Sequence, residues 1–96
     1  SQLPEEFSIQ GNYPNPFNPV TTIRFGLPEP RRVSLTIVNM LGQEVVELLN
    51  GWKDLGYHEI RWQSLDNQGV PVGSGVYFTV LRDGTSIGVQ KMMLLK

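Results

Sequence analysis

Gly75-Val76-Tyr77-Phe78-Thr79-Val80-Leu81-Arg82, then Asp83-Gly84-Thr85, then Ser86-Ile87-Gly88-Val89-Gln90-Lys91-Met92-Met93-Leu94-Leu95-Lys96 make up the last stretch of this 96-residue chain. Two β-branched and aromatic runs flank an Asp-Gly pair, which reads as a β-hairpin with a tight turn. The second run is apolar on both faces through Met92, Met93, Leu94 and Leu95, with Lys91 and Lys96 bracketing it. Terminal residues normally lose order for want of neighbours. A two-faced apolar strand there needs a cover, from the body of the domain, a partner or both. The closing hairpin is therefore the first place to look for function.

Working back from it, short apolar runs recur at the 8–12-residue spacing expected of a β-sandwich or barrel. Tyr57 to Gln63 alternates, with Ile60 and Trp62 on one face and Glu59 and Arg61 on the other. Val33-Ser34-Leu35-Thr36-Ile37 alternates strictly, so Val33, Leu35 and Ile37 face a core. Thr21 to Leu27 is rich in β-branched residues and stops at Pro28. Phe7 to Gln10 alternates and stops at Gly11-Asn12. Glu44 to Asn50 fits either period and is read as a strand because it is short and Asn50-Gly51 ends it. Trp52 to Gly56 then reads as a loop. Between Tyr13 and Pro19, three prolines remove backbone donors and exclude regular structure; Tyr13 and Phe17 are expected to staple this segment onto the core. Asp66 reads as a turn-former whose carboxylate accepts a backbone N–H two residues on. The sum is an all-β chain: an immunoglobulin-like antiparallel β-sandwich of about seven strands, without the Cys…Trp…Cys signature of antibody domains.

Composition bounds the function. Ninety-six residues form one small domain with a modest core. Ten glycines and seven prolines imply many turns and little helix. Net charge is −1, with Arg31-Arg32 the only adjacent basic pair, so the clustered footprint of a nucleic-acid binder is missing. No apolar run approaches the ~20 residues of a membrane helix. Cysteine is absent, which removes disulfides and thiolate metal sites. The opening Ser1-Gln2-Leu3-Pro4-Glu5-Glu6 does not read as a signal peptide. Residues 1–12 read as a linker-like lead-in with the first strand, and 13–96 as the domain proper, the whole being expected to be a C-terminal module excised from a longer precursor.

No catalytic, metal or cofactor residues are assigned. His58, the only histidine, has no second positioned group beside it. Glu5-Glu6, Asp66 and Asp83 sit in the lead-in or in turns, not across a cleft. Asp66 and Asn67 offer oxygens, but the spacing of a calcium loop is missing. Exposed aromatics on a sandwich can stack on sugar rings, so Trp52 and Tyr57 are candidate contacts of a carbohydrate-binding or spacer module in a secreted glycoside hydrolase. Lys91 interrupts an apolar strand, either as a charge that blocks edge-to-edge aggregation or as a group read in strand addition.

Taken together, the segments resemble the C-terminal sorting domain of type IX secretion cargo, in its type A form. The resemblance rests on Leu3-Pro4-Glu5-Glu6-Phe7, Asn12-Tyr13-Pro14-Asn15-Pro16-Phe17-Asn18-Pro19, Thr21 to Phe25 with Leu27-Pro28, and the strand-turn-strand from Val33 to Val45. It continues through Gly56-Tyr57-His58, Trp62, Ser74-Gly75-Val76-Tyr77-Phe78, Gly84, Lys91 and the apolar-plus-Lys ending. Trp62 to Tyr77 is also similar to the immunoglobulin-like domain of flagellar hook-capping proteins. The resemblance implies a non-enzymatic module at the end of a larger exported protein, carried through the periplasm of a Gram-negative bacterium and then secreted or attached at the cell surface. Its implied partners are the outer-membrane secretion machinery, a sortase-like peptidase and an upstream cargo domain. The recognition elements it implies are Gly75, Tyr77, Gly84, Lys91, Met93, Leu95 and Lys96.

Overall fold

Alternation of apolar and polar residues along short runs gives seven strands in the computed structural model, which describes residues 3–96. They are β1 (Ser8–Tyr13), β2 (Thr21–Leu27), β3 (Arg31–Val38), β4 (Glu44–Lys53), β5 (Gly56–Trp62), β6 (Gly75–Arg82) and β7 (Ile87–Leu94). Every pairing is antiparallel. One sheet has the order β1-β2-β5 and the other β4-β3-β6-β7. The chain is an immunoglobulin-like β-sandwich.

The inner faces meet in one core. β2 contributes Ile23, Phe25 and Leu27, β3 contributes Val33, Leu35 and Ile37, and β6 contributes Tyr77 and Leu81. Trp62 from β5 and Met92 and Leu94 from β7 complete it, with Phe17 entering from the proline-rich segment. Burying each large apolar side chain contributes about 1.5–3 kcal/mol, and in a domain of this size such terms set the stability. Three aromatic rings fill the end of the sandwich beneath the closing hairpin: Trp62 lies 5.7 Å from Phe17 and 5.4 Å, edge-on, from Tyr77. The Trp62 indole N–H donates to the Leu65 carbonyl at 2.9 Å, so its one polar atom is satisfied within the core.

Three expectations are corrected. β1 does not stop at Gly11-Asn12: a bulge between Ile9 and Gly11 absorbs the irregularity, and the ladder resumes with Asn12 opposite Ile23 and Tyr13 opposite Thr22. β4 likewise runs past Asn50-Gly51. Pairing of Gly51, Trp52 and Lys53 with Val33, Arg32 and Arg31 overrides the local turn preference, which places Trp52 on a strand. Tyr13 is no staple. Its partner Thr22 sits on the solvent face while Thr21 is buried, so the Tyr13 ring projects into water and Phe17 is the aromatic of the segment that enters the core.

Candidate functional site

The closing hairpin is built on a turn that the Asp83 side chain holds shut. Its carboxylate accepts the N–H of Thr85 at 3.0 Å and of Ser86 at 2.6 Å, and also pairs with the Arg31 guanidinium. Burial on its own raises the Asp83 pKa. The backbone N–H groups of Ser86 and Thr85 and the Arg31 charge outweigh that and hold it at about 2. Gly84 takes φ +98°, a region that side chains disfavour, which is why glycine follows the aspartate.

From this turn β6 and β7 pair without a break, from Arg82 opposite Ile87 to Gly75 opposite Leu94. Alternation sorts the candidate residues by face. Tyr77 points inward, and its hydroxyl donates to the Gly73 carbonyl at 2.6 Å. Burial pushes its pKa up, in keeping with a phenol that stays protonated and donates. Its ring is therefore held in the core and not offered at the surface. Gly75 opens β6 at φ +153°. Lys91 and Met93 lie on the outer face opposite Phe78 and Val76. With them, Ile87 is 60% and Val89 57% exposed, so the outer side of β7 is an apolar stripe carrying one cation. Leu95 is half exposed, its N–H donating to the Phe17 carbonyl, and the Lys96 N–H donates to Ser74 Oγ at 2.9 Å. The structure thus brings Lys91 and Met93 together on β7, with Leu95 and Lys96 just beyond its end.

β7 is an edge strand with β6 on one flank. On the other flank the proline-rich segment covers part of it. Asn15 Nδ2 donates to the Lys91 carbonyl at 3.3 Å, and Asn15 Oδ1 accepts the Met93 N–H at 3.1 Å. The Phe17 N–H donates to the Met93 carbonyl at 3.0 Å. Asn67 does similar work on the far edge of the same sheet: its Oδ1 accepts the Glu47 N–H at 3.1 Å, and its own N–H donates to the Val45 carbonyl. On sequence alone Asn67 is weighed only as a calcium-loop oxygen, and Asn15 is given no contact of its own. The available signal was Asn15 between Pro14 and Pro16, a side-chain amide placed where the backbone has lost its donors.

The other candidates lie elsewhere. Trp52, 68% exposed, stands opposite Arg32 on the outer face of the four-stranded sheet. Tyr57 belongs to the three-stranded sheet, and the Arg24 guanidinium covers its ring at 4.5 Å, so a sugar would meet one aromatic or the other. His58 stacks on Phe25 at 5.3 Å, with Nε2 2.8 Å from the Asp54 carbonyl. Asp66 Oδ1 accepts the N–H groups of Gln68 and Val70, which makes it a turn-former. Among the described residues no group of three or more His, Cys, Asp or Glu is placed to hold a metal ion, and no helix is long and apolar enough to cross a membrane.

The fold is found in known proteins. The architecture is similar to part of dimeric latent PorU from Porphyromonas gingivalis, with TM-score 0.69 and 23% identity, covering 88% of this chain and 9% of that one. It is also similar to part of PorZ, a bacterial surface component of the type IX secretion system of the same organism, with TM-score 0.60 and 20% identity, covering 92% of this chain and 11% of that one. The chain therefore corresponds to about a tenth of the length of either. No curated protein matches it in sequence. The family model of the secretion system C-terminal sorting domain matches residues 12–95, the candidate hairpin and both asparagines included, and the chain belongs to that family.

Proposed function

We propose that this domain is a non-catalytic address label: it sits at the end of a larger exported protein and its closing hairpin is read by the type IX outer-membrane machinery. The chain is a single domain: residues 13–96 make up the bulk of the module, and 1–12 supply the lead-in from an upstream cargo domain together with the first strand. The cargo reaches the cell surface or the medium through the periplasm of a Gram-negative bacterium, and a sortase-like peptidase acts at the junction. One observation above all supports this reading. β7 is an edge strand whose outer face carries exposed Ile87, Val89 and Met93 around Lys91. Apolar side chains and a cation with no ion pair among the described residues, set on an edge strand, suit docking by patch contact or strand addition. Gly75 and Gly84 set the ends of the hairpin, Tyr77 holds it from the core side, and Lys91, Met93, Leu95 and Lys96 meet the partner.

Fusing the domain to a reporter with a signal peptide, in a host competent for type IX secretion, tests this. Surface delivery is expected with the intact domain and lost on deletion of Lys91–Lys96; delivery that survives the deletion contradicts the proposal. Exposure of Trp52 keeps a second reading alive, a sugar-binding module of a secreted glycoside hydrolase. Retention on insoluble polysaccharide that disappears in Trp52→Ala would favour it.

A further inference from the structure

Among the described residues, the outer flank of β7 is hydrogen-bonded along half its length and free of hydrogen bonds along the rest, where Ile9 of β1 packs against Gly88 from the core side. The Met93 N–H and carbonyl point away from β6, towards Asn15 and Phe17. The two-residue period of a strand gives Lys91, Val89 and Ile87 the same outward direction. Asn15 and Phe17 occupy the Met93 groups and the Lys91 carbonyl, which also accepts from Gln90 Nε2 at 3.0 Å. Among the described residues, the outward groups of Ile87 and Val89 have no hydrogen-bond partner. This open part is regular, with no register shift in the β6–β7 ladder and no proline. Such an edge is a template for another strand.

The register of the edge favours one occupant, a second copy of the same strand. Antiparallel self-pairing about Val89 sets Val89 opposite Val89, and Ile87 opposite Lys91 of the copy. Like charges are then not opposed, and apolar side chains meet on one face. That register needs the Lys91 carbonyl to accept the Ile87 N–H of the copy, yet Asn15 and Gln90 already supply its two donors. The end of the copy's hairpin would also arrive where the Asn15 carboxamide lies. We infer that Asn15 is an edge plug that keeps β7 from pairing with β7 of a second molecule. Freeing it turns Ile87–Lys91 into a homodimer interface that joins two four-stranded sheets into one. The far edge does not share this property. β4 carries two register shifts against β3 and has Glu44 and Glu47 in its first half, so Asn67 guards an edge that is already unfit for self-pairing.

The inference concerns oligomeric state and stands whether or not the hairpin directs export. The test is the mass of the folded domain in solution as concentration is raised, by sedimentation or light scattering. The unaltered domain is expected at the 10.8 kDa of one chain. Asn15→Ala is expected to move to twice that mass, and Asn15→Asp, which keeps the acceptor but loses the donor to Lys91, to move part of the way. Adding Val89→Lys to Asn15→Ala sets like charges across the two-fold and is expected to restore the monomer. Asn67→Ala is expected to stay monomeric. Amide exchange in the dimer should slow at Val89 and Ile87. A folded Asn15→Ala and Asn15→Asp that both remain monomeric overturn the inference, and so does an Asn15→Ala dimer indifferent to Val89→Lys. If Asn15→Ala fails to fold, the Asn15→Asp result decides.

Discussion

The four-stranded sheet has two edges, and they are protected in different ways. On β4, protection is local and redundant: two register shifts break the ladder, glutamates stand in its first half, and Asn67 reaches across from a surface turn. On β7, the strand itself is regular and apolar, and protection comes from a segment some 75 residues away in sequence, tethered by Phe17 in the core. An edge that is unfit for pairing by its own geometry needs little else. One that stays regular and apolar needs a plug, and a natural reason to keep such an edge is that something else docks there.

The difference has measurable consequences. The largest is at Phe17. Removing a ring that is 2% exposed and packed on Trp62 leaves a cavity, so Phe17→Ala is expected to cost about 3–5 kcal/mol in urea unfolding. It should also speed amide exchange at Leu95, whose N–H bonds Phe17. A cost near that of a surface substitution would show that the β7 plug is not anchored through the core.

Acid sharpens the comparison next. The Asp83 pKa falls from 3.8 to about 2 on folding, so the fold favours the carboxylate. That contribution, about 2 kcal/mol, is complete above about pH 5 and is lost as pH falls through 4 towards 2. Asp83→Asn should remove this part of the acid dependence and fray the β6–β7 turn, leaving the β3–β4 turn unaffected, since there Asn39 Oδ1 accepts the N–H groups of Leu41 and Gln43. Stability unchanged between pH 4 and 2 would contradict it.

Smaller still is Asn67→Ala, which removes a side-chain acceptor on the β4 edge. It is expected to cost about 1 kcal/mol, the net worth of an ordinary hydrogen bond, without changing the oligomeric state. The smallest effect belongs to Trp52→Ala. With the indole mostly in solvent, its stability change should fall within about 0.5 kcal/mol.

Much of the sandwich was legible because period-2 alternation is a direct image of a sheet with one wet face. Val33, Leu35 and Ile37, the Ile60–Trp62 face, the Asp83-Gly84 turn and the two-faced final strand all followed from it. The failures share a cause. Gly51 and Gly11 carry local stop signals, but long-range pairing with β3 and β2 decides where those strands end, and pairing is not a local property. Tyr13 and Phe17 look alike in a proline-rich segment; which ring goes inward depends on the register opposite Thr22. The face assignment of Tyr77 and the Asn15 and Asn67 contacts depend on the same distant registers. Lys91, Met93 and Leu95 were singled out as candidates because a strand that is apolar on both faces is conspicuous without knowledge of its neighbours.

Charge placed on the outer face of β7, where it leaves the core untouched, tests most directly whether this hairpin is what the export machinery reads. Reporter fusions carrying Met93→Glu, Ile87→Glu or, at the far end of the same sheet, Trp52→Glu should all melt near the parent. The account predicts that surface delivery falls at least about tenfold for the two β7 variants, the effect of about 1.4 kcal/mol of lost contact, and holds for Trp52→Glu. Equal delivery by all three would contradict it.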